Sequence, residues 1–154
     1  MGSEEHPDLS LFRVLNEVIA DSSSLIYMKK AGFLERFLEA LEVYTIPEVI
    51  EETGYAELTV HILEHTLNEE NTGRGPTTDT ILIRCAVKEN LPVVSEDRKI
   101  LLAAERNNLP YLNALMMLNF LLYRRKITLD EHGLFFRRLL ESARYSRRVL
   151  TYSL

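Results

Sequence analysis

The sequence predicts an α/β fold: a three-layer α/β/α sandwich around a central parallel sheet of four or five strands. Short apolar, β-rich runs alternate with stretches of helical periodicity, and the first two runs stop at residues that favour a helix start. Strands separated by helices pair in parallel through right-handed crossovers, with helices covering both faces of the sheet. The size agrees. With 154 residues, 46% of them hydrophobic and 27% charged, the chain can bury one core and lacks the composition of disorder.

Taken in order, residues 1–16 read as an acidic N-terminal extension, with Leu9, Phe12 and Leu15 at helical spacing on a short helix packed outside the core. A single domain then runs over 17–154. Glu17-Val18-Ile19-Ala20 is the first strand, and Asp21 with three serines stops it and caps the following helix. That helix follows the 3.6-residue period from Leu25 to Leu41, broken near Gly32. Val43 to Ile46 forms the second strand, and Pro47 opens another helix because proline suits a first turn.

Tyr55 to Glu70 is helical in pattern, and Asn71-Thr72-Gly73-Arg74-Gly75-Pro76 is the clearest break in the chain. A helix over about Thr78 to Glu89 precedes a third strand at Leu91 to Ser95. Arg98 to Arg106 reads as a helix, and Leu109 to Leu112 as a short fourth strand. From Ala114 onward the pattern gives two helices and a basic tail. Apolar stretches such as Leu115-Met116-Met117-Leu118 and Phe120-Leu121-Leu122 read as core, with an interface lining the alternative.

Charge and cysteine content exclude several classes of function. The net charge of −5 is wrong for a protein that coats nucleic acid by bulk attraction. The charge is segregated, however. Residues 1–77 hold 5 Lys/Arg and 15 Asp/Glu, net −10, while residues 78–154 hold 13 and 8, net +5. That suits an acidic reactive half beside a basic half for phosphates, and it equally suits solvated helix faces. Cys85 stands alone in an apolar run, which excludes an internal disulfide and a thiolate zinc site and fits a reducing compartment. No stretch approaches 18 apolar residues, and the N-terminus is acidic, so a cytoplasmic protein without membrane contact is expected.

The acids fall where such a fold would gather them. Asp21 follows the first strand, Glu48 to Glu52 follow the second, and Asp97 follows the third, all at carboxyl ends, where open α/β sheets bind ligands. Asp79 opens the helix before the third strand, where it caps that helix or leans into the same crevice. Two unit charges about 4 Å apart repel by roughly 4 kcal/mol at an effective dielectric near 20, so a cation is needed to offset the cluster. Oxygen ligands alone select Mg²⁺ or Mn²⁺, and such ions stabilise a leaving oxyanion and activate water for attack on a phosphodiester. Each acid also has an ordinary role as a cap or first-turn residue, so the case rests on their joint placement.

These segments resemble the PIN-domain family of small metal-dependent ribonucleases, which includes toxins of toxin–antitoxin pairs. The resemblance covers most of the chain. It is carried by Val18-Ile19-Ala20-Asp21-Ser22-Ser23-Ser24-Leu25-Ile26, by Ile46-Pro47-Glu48-Val49-Ile50-Glu51-Glu52, by Thr78-Asp79 through Ala86, and by Val93-Val94-Ser95-Glu96-Asp97. It implies a PIN-like fold in which Asp21, Glu52, Asp79 and Asp97 bind Mg²⁺ or Mn²⁺ and serve catalysis. Glu51 or Glu48 stands in for Glu52 in another register. Ser95 is implied to orient ligands or water, with Glu96 a further acid.

The resemblance also implies an RNA substrate, an antitoxin partner and a homodimer, with Arg124, Arg125 and Lys126 in one basic cluster for nucleic acid. Arg137, Arg138, Arg144, Arg147 and Arg148 form a second cluster. Two departures stand out: a longer acidic lead-in, and Gly75-Pro76 where many members carry another acid.

Two other functions compete. One is a non-catalytic PIN-like module that binds RNA or protein, which fold alone does not exclude. The other is a zinc peptidase, because His61-Ile62-Leu63-Glu64-His65 matches H-x-x-E-H and on a helix would present both imidazoles on one face.

Overall fold

The computed structural model describes residues 7–55, 57–65 and 77–143. Ala56, residues 66–70 of the 55–70 segment, the Asn71–Pro76 break, Arg144, Arg147, Arg148 and the C-terminal tail lie outside them. Helix α1 spans Pro7–Val14 and strand β1 Glu17–Ala20, followed by α2 (Ser22–Ala31), α3 (Leu34–Ala40), β2 (Glu42–Thr45) and α4 (Pro47–Thr53). Then come β3 (His61–Ile62), α5 (Thr78–Glu89), β4 (Val93–Val94), α6 (Arg98–Arg106), β5 (Tyr111–Leu112), α7 (Ala114–Tyr123) and α8 (Leu129–Ala143).

The five strands form one parallel sheet in the order β3-β2-β1-β4-β5. This is the predicted α/β/α architecture. Val18, Ile19 and Ala20 are fully buried, as expected of a central parallel strand covered on both faces. Helices α2, α3, α4, α7 and α8 pack among themselves, and α5 packs with α6. Because the chain leaves β1 toward β2 on one side and later returns to β4 on the other, the sheet has its topological switch point between β1 and β4. A ligand crevice is expected outside the carboxyl ends of those two strands.

Local chemistry explains most boundaries. Gly32, at φ +98°, ends α2 in the left-handed region, its N–H donating to Met28 and Lys29 carbonyls, which accounts for the break in the helical period. Thr77 caps α5 by accepting the Thr80 N–H, and Asn113 caps α7 by accepting that of Met116. At the start of α8, Thr128 and Glu131 satisfy one another's backbone N–H groups as a capping box. The Arg36 hydrogen bond, with the Thr128 N–H, holds the Glu131 carboxyl down to about 2.

Two expectations need correction. The 55–70 segment is not a helix over its described part. Residues 57–60 are irregular, and His61–Ile62 forms β3, paired with Tyr44 and Thr45. The apolar pattern that reads as helical is a loop lying on the core through Leu58, Val60 and Leu63. The second correction concerns α1, which does not sit outside the core. Phe12 and Leu15 belong to the core, the Phe12 ring meets Phe120 edge-on at 5.3 Å, and Arg124 donates to the carbonyls of Phe12 and Leu15. The apolar runs of α7 are likewise mostly core, with Leu115, Met117, Leu118, Phe120 and Leu121 buried. Among the described residues no helix is long and apolar enough to cross a membrane.

The packing of α1 sets a stability prediction. Phe12→Ala should cost about 3–5 kcal/mol in urea unfolding, as for a buried aromatic, whereas a helix lying outside the core would cost under about 1 kcal/mol.

Candidate functional site

Asp21 is the residue next after β1, and its extended backbone lets its side chain turn back over the first turn of α2. The carboxylate is 5% exposed. One oxygen accepts the Ser24 N–H at 3.0 Å, both accept the Ser23 hydroxyl at 2.9 and 3.0 Å, and Oδ2 accepts the Ser95 hydroxyl at 2.6 Å. Burial pushes the Asp21 carboxyl above the ordinary aspartate range, opposed by the hydrogen bonds from Ser95, Ser24 and Ser23. The Asp21 N–H and the Ser24 hydroxyl both donate to the Val94 carbonyl, fastening the end of β1 to β4.

Ser95, fully buried just past β4, bridges two acids. Its hydroxyl donates to Asp21 and accepts the Asp97 N–H at 2.9 Å. Asp97 in turn caps α6 by accepting the Lys99 N–H at 2.8 Å. Glu52, in the last turn of α4, accepts the Ser22 hydroxyl at 2.8 Å, beside Asp21. A continuous chain of hydrogen bonds and adjacent backbone therefore runs from Glu52 through Ser22, Asp21 and Ser95 to Asp97, across the switch point.

Asp79 joins this group through charge. Burial raises its carboxyl pKa, the negative charges of Asp97 and Glu52 raise it further, and Lys99 opposes them. Acids from α4, α5 and the start of α6 are close enough to repel one another. Among the described residues, none of Asp21, Glu52, Asp79 and Asp97 forms an ion pair with Lys, Arg or His. Their chemistry, oxygen donors with uncompensated negative charge, fits a hard divalent cation. Their arrangement is not a finished chelate: among the described residues no three His, Cys, Asp or Glu side chains stand close enough to hold one ion.

The remaining expected residues are occupied elsewhere. Glu48 accepts a hydrogen bond from His65 at 2.9 Å; burial acts to raise its pKa, but that bond, its own N–H and the His65 charge together lower it. Glu51 is exposed. Glu96 reaches the other way, its carboxylate accepting the Ala114 N–H at the start of α7 while its own N–H donates to Ser23. That is a helix N-terminus held by an acid. Ser22 and Ser23 carry positions that the sequence assigns only to helix initiation. The signal was the serine run itself, whose hydroxyls reach Glu52 and Asp21.

His61 lies in β3 and pairs with Glu42 at 2.6 Å, its ring tilted 32° against that of Tyr44, while His65 pairs with Glu48. The H-x-x-E-H pattern therefore has no helix face on which to present two imidazoles, and the zinc-peptidase alternative loses its premise. The Arg124-Arg125-Lys126 cluster is also displaced from the acids. Helix α7 starts just past the carboxyl end of β5 and runs back about 15 Å over ten residues, so its last turn lies toward the amino ends of the strands. There Arg124 covers the Phe120 ring at 4.7 Å and holds the chain entering β1. Of the second basic cluster, Arg137 and Arg138 are exposed on α8.

No protein-family model, no curated protein and no solved structure matches the chain.

The burial of Asp21 gives a signed pH dependence. A carboxyl whose folded pKa is raised contributes stability that is fully present below its unfolded value, ordinarily 3.8, and is lost as pH rises through the folded value. In chelator, the urea midpoint of the wild type should fall relative to that of Asp21→Asn as pH rises from about 4 toward neutral. A constant difference across that range would mean that Asp21 is solvated. Ser95→Ala should cost about 1–3 kcal/mol at neutral pH, because it leaves a buried carboxylate short of a donor.

Proposed function

We propose that the chain is a Mg²⁺- or Mn²⁺-dependent endoribonuclease of the PIN-domain kind, hydrolysing RNA phosphodiester bonds at the crevice between β1 and β4. One observation carries this reading: the hydrogen-bonded series Glu52–Ser22, Asp21–Ser95, Ser95–Asp97 at the switch point, with Asp79 repelled by two of its members. Asp21, Glu52, Asp79 and Asp97 are the residues that would hold the cation. When bound, that ion supplies positive charge for a leaving oxyanion and acidifies water.

The protein's own part is orientation. Ser23, Ser24 and Ser95 lock the Asp21 carboxylate in one rotamer, and the helix starts of α2 and α6 hold Asp21 and Asp97 in place. The less buried Glu52 and Asp79 remain able to swing toward an arriving ion. The same proposal extends to a toxin role, with an antitoxin partner and a homodimer in the cytoplasm.

A second reading, a non-catalytic module of the same fold that binds RNA or protein, is favoured by the saturation of Asp21. Its oxygens already accept bonds from three serines, and among the described residues no three acids stand close enough to hold one ion. Cleavage decides between the two. A labelled RNA should be cut in Mg²⁺ or Mn²⁺ and not in chelator. Asp21→Asn and Asp97→Asn should each lower kcat/KM by about 10²-fold or more, with an unchanged circular dichroism spectrum. Undiminished cutting by both variants would remove the carboxylates from the mechanism. Tight RNA binding by the wild type with no cutting in either ion would favour the module.

A further inference from the structure

Beside the acids, between α5 and α6, lies a groove of about 750 Å³ that none of the residues discussed as a nucleic-acid contact touches. Ile83, Val87, Ile100 and Ala103 give it an apolar lining, and its charged rim consists of Arg84, Lys88 and Lys99 with a single acid, Asp79. Arg84 and Lys88 are four residues apart, so they project from the same face of α5, one turn after the other. Both are exposed, as is Lys99, and among the described residues none of the three forms an ion pair. A chain with net charge −5 thus presents, beside these acids, a channel edged by three cations that form no ion pair among the described residues.

We infer that the α5–α6 groove is the track for the sugar–phosphate backbone of a single-stranded RNA, which it delivers to Asp79 and Asp97. The occupant follows from charge and shape. The rim offers cations to phosphates, and the apolar lining suits ribose and base faces rather than a second charged surface. From Asp79 to Lys88 the groove runs nine residues along α5, about 13 Å, which exceeds the spacing of neighbouring phosphates, about 3.4 Å per strand along a duplex. Asp79 closes the end nearest the site, where it repels a phosphate unless a cation lies between them. The inference rests on the proposed nuclease reading for what happens at that end, while binding along the rim stands by itself.

The test uses the full chain and a fluorescein-labelled single-stranded oligoribonucleotide, followed by anisotropy in chelator and by cleavage in Mn²⁺. Arg84→Glu combined with Lys88→Glu should weaken binding about tenfold or more and lower the slope of log Kd against log salt by about 1.4, at about 0.7 per single-strand phosphate contact. In cleavage the same variant should raise KM and spare kcat. A charge-matched control, Arg13→Glu with Lys30→Glu, alters exposed cations away from the groove and should stay within about twofold of wild type, and thermal melting verifies that both proteins fold.

Groove-variant binding and KM equal to wild type would overturn the track while leaving the nuclease reading intact. Binding lost in the groove variant, with no cutting by the wild type in either ion, would keep the track and remove the nuclease. Equal losses in groove variant and control would reduce the effect to bulk charge and overturn the track. So would a polyglutamate peptide of equal charge that binds the wild type as tightly as RNA, since the groove would then take acidic protein.

Discussion

The buried Asp21 carboxylate is the constraint on which the rest of the site depends. Taking a carboxylate out of water is costly unless donors replace the solvent, and here three serines do so from two directions. Ser23 and Ser24 come from the helix that Asp21 itself caps, and Ser95 comes from beyond the adjacent strand. The same set of bonds thus starts α2, ties β1 to β4, and passes through Ser95 to the residue that starts α6. Removing the acid would loosen a helix start, a strand junction and a site together. This is why capping and function need not be rival explanations for Asp21.

Around this fixed point the other acids have graded freedom. Glu96 is drawn away to the start of α7 and Glu48 to His65, so neither adds charge freely to the crevice. Glu52 accepts one hydroxyl, from Ser22, and Asp79 is repelled by Asp97 and Glu52 with Lys99 opposing them. One acid is held rigidly and the others lightly, so negative charge gathers in the crevice while no three acids among the described residues stand close enough to hold one ion. Asp97 lies between these extremes, its backbone pinned by Ser95 and one oxygen committed to the first turn of α6.

Basic residues divide in the same way between structure and surface. Arg124 is spent on the fold: its guanidinium satisfies two carbonyls before β1 and covers an aromatic ring, which joins α1 to α7. Arg36 is likewise paired with Glu131 between α3 and α8. Arg84, Lys88 and Lys99 form no ion pair among the described residues, and they flank the groove that opens beside Asp79. The acidic crevice thus adjoins a cationic groove, although two of its four acids, Asp79 and Asp97, come from the net-positive half of the chain.

What could be read from the sequence was whatever short-range forces decide. Helices Thr78–Glu89 and Arg98–Arg106 match their expected limits because Thr77, Asn90 and Asp97 stop and start them within one turn. Asp21 and Asp97 were legible for the same reason, since a strand followed by a cap puts an acid at a carboxyl edge. Strand β3 was not legible. Its two residues are exposed and acquire strand geometry only by pairing with Tyr44 and Thr45, distant in sequence. Long-range packing also decided which glutamate faces Asp21, because Ser22 selects Glu52 and His65 takes Glu48. It decided that α1 belongs to the core, and that two helices lie side by side with Arg84, Lys88 and Lys99 along one groove. Local periodicity carries no record of such partners, because the partner's position is set by the sheet order.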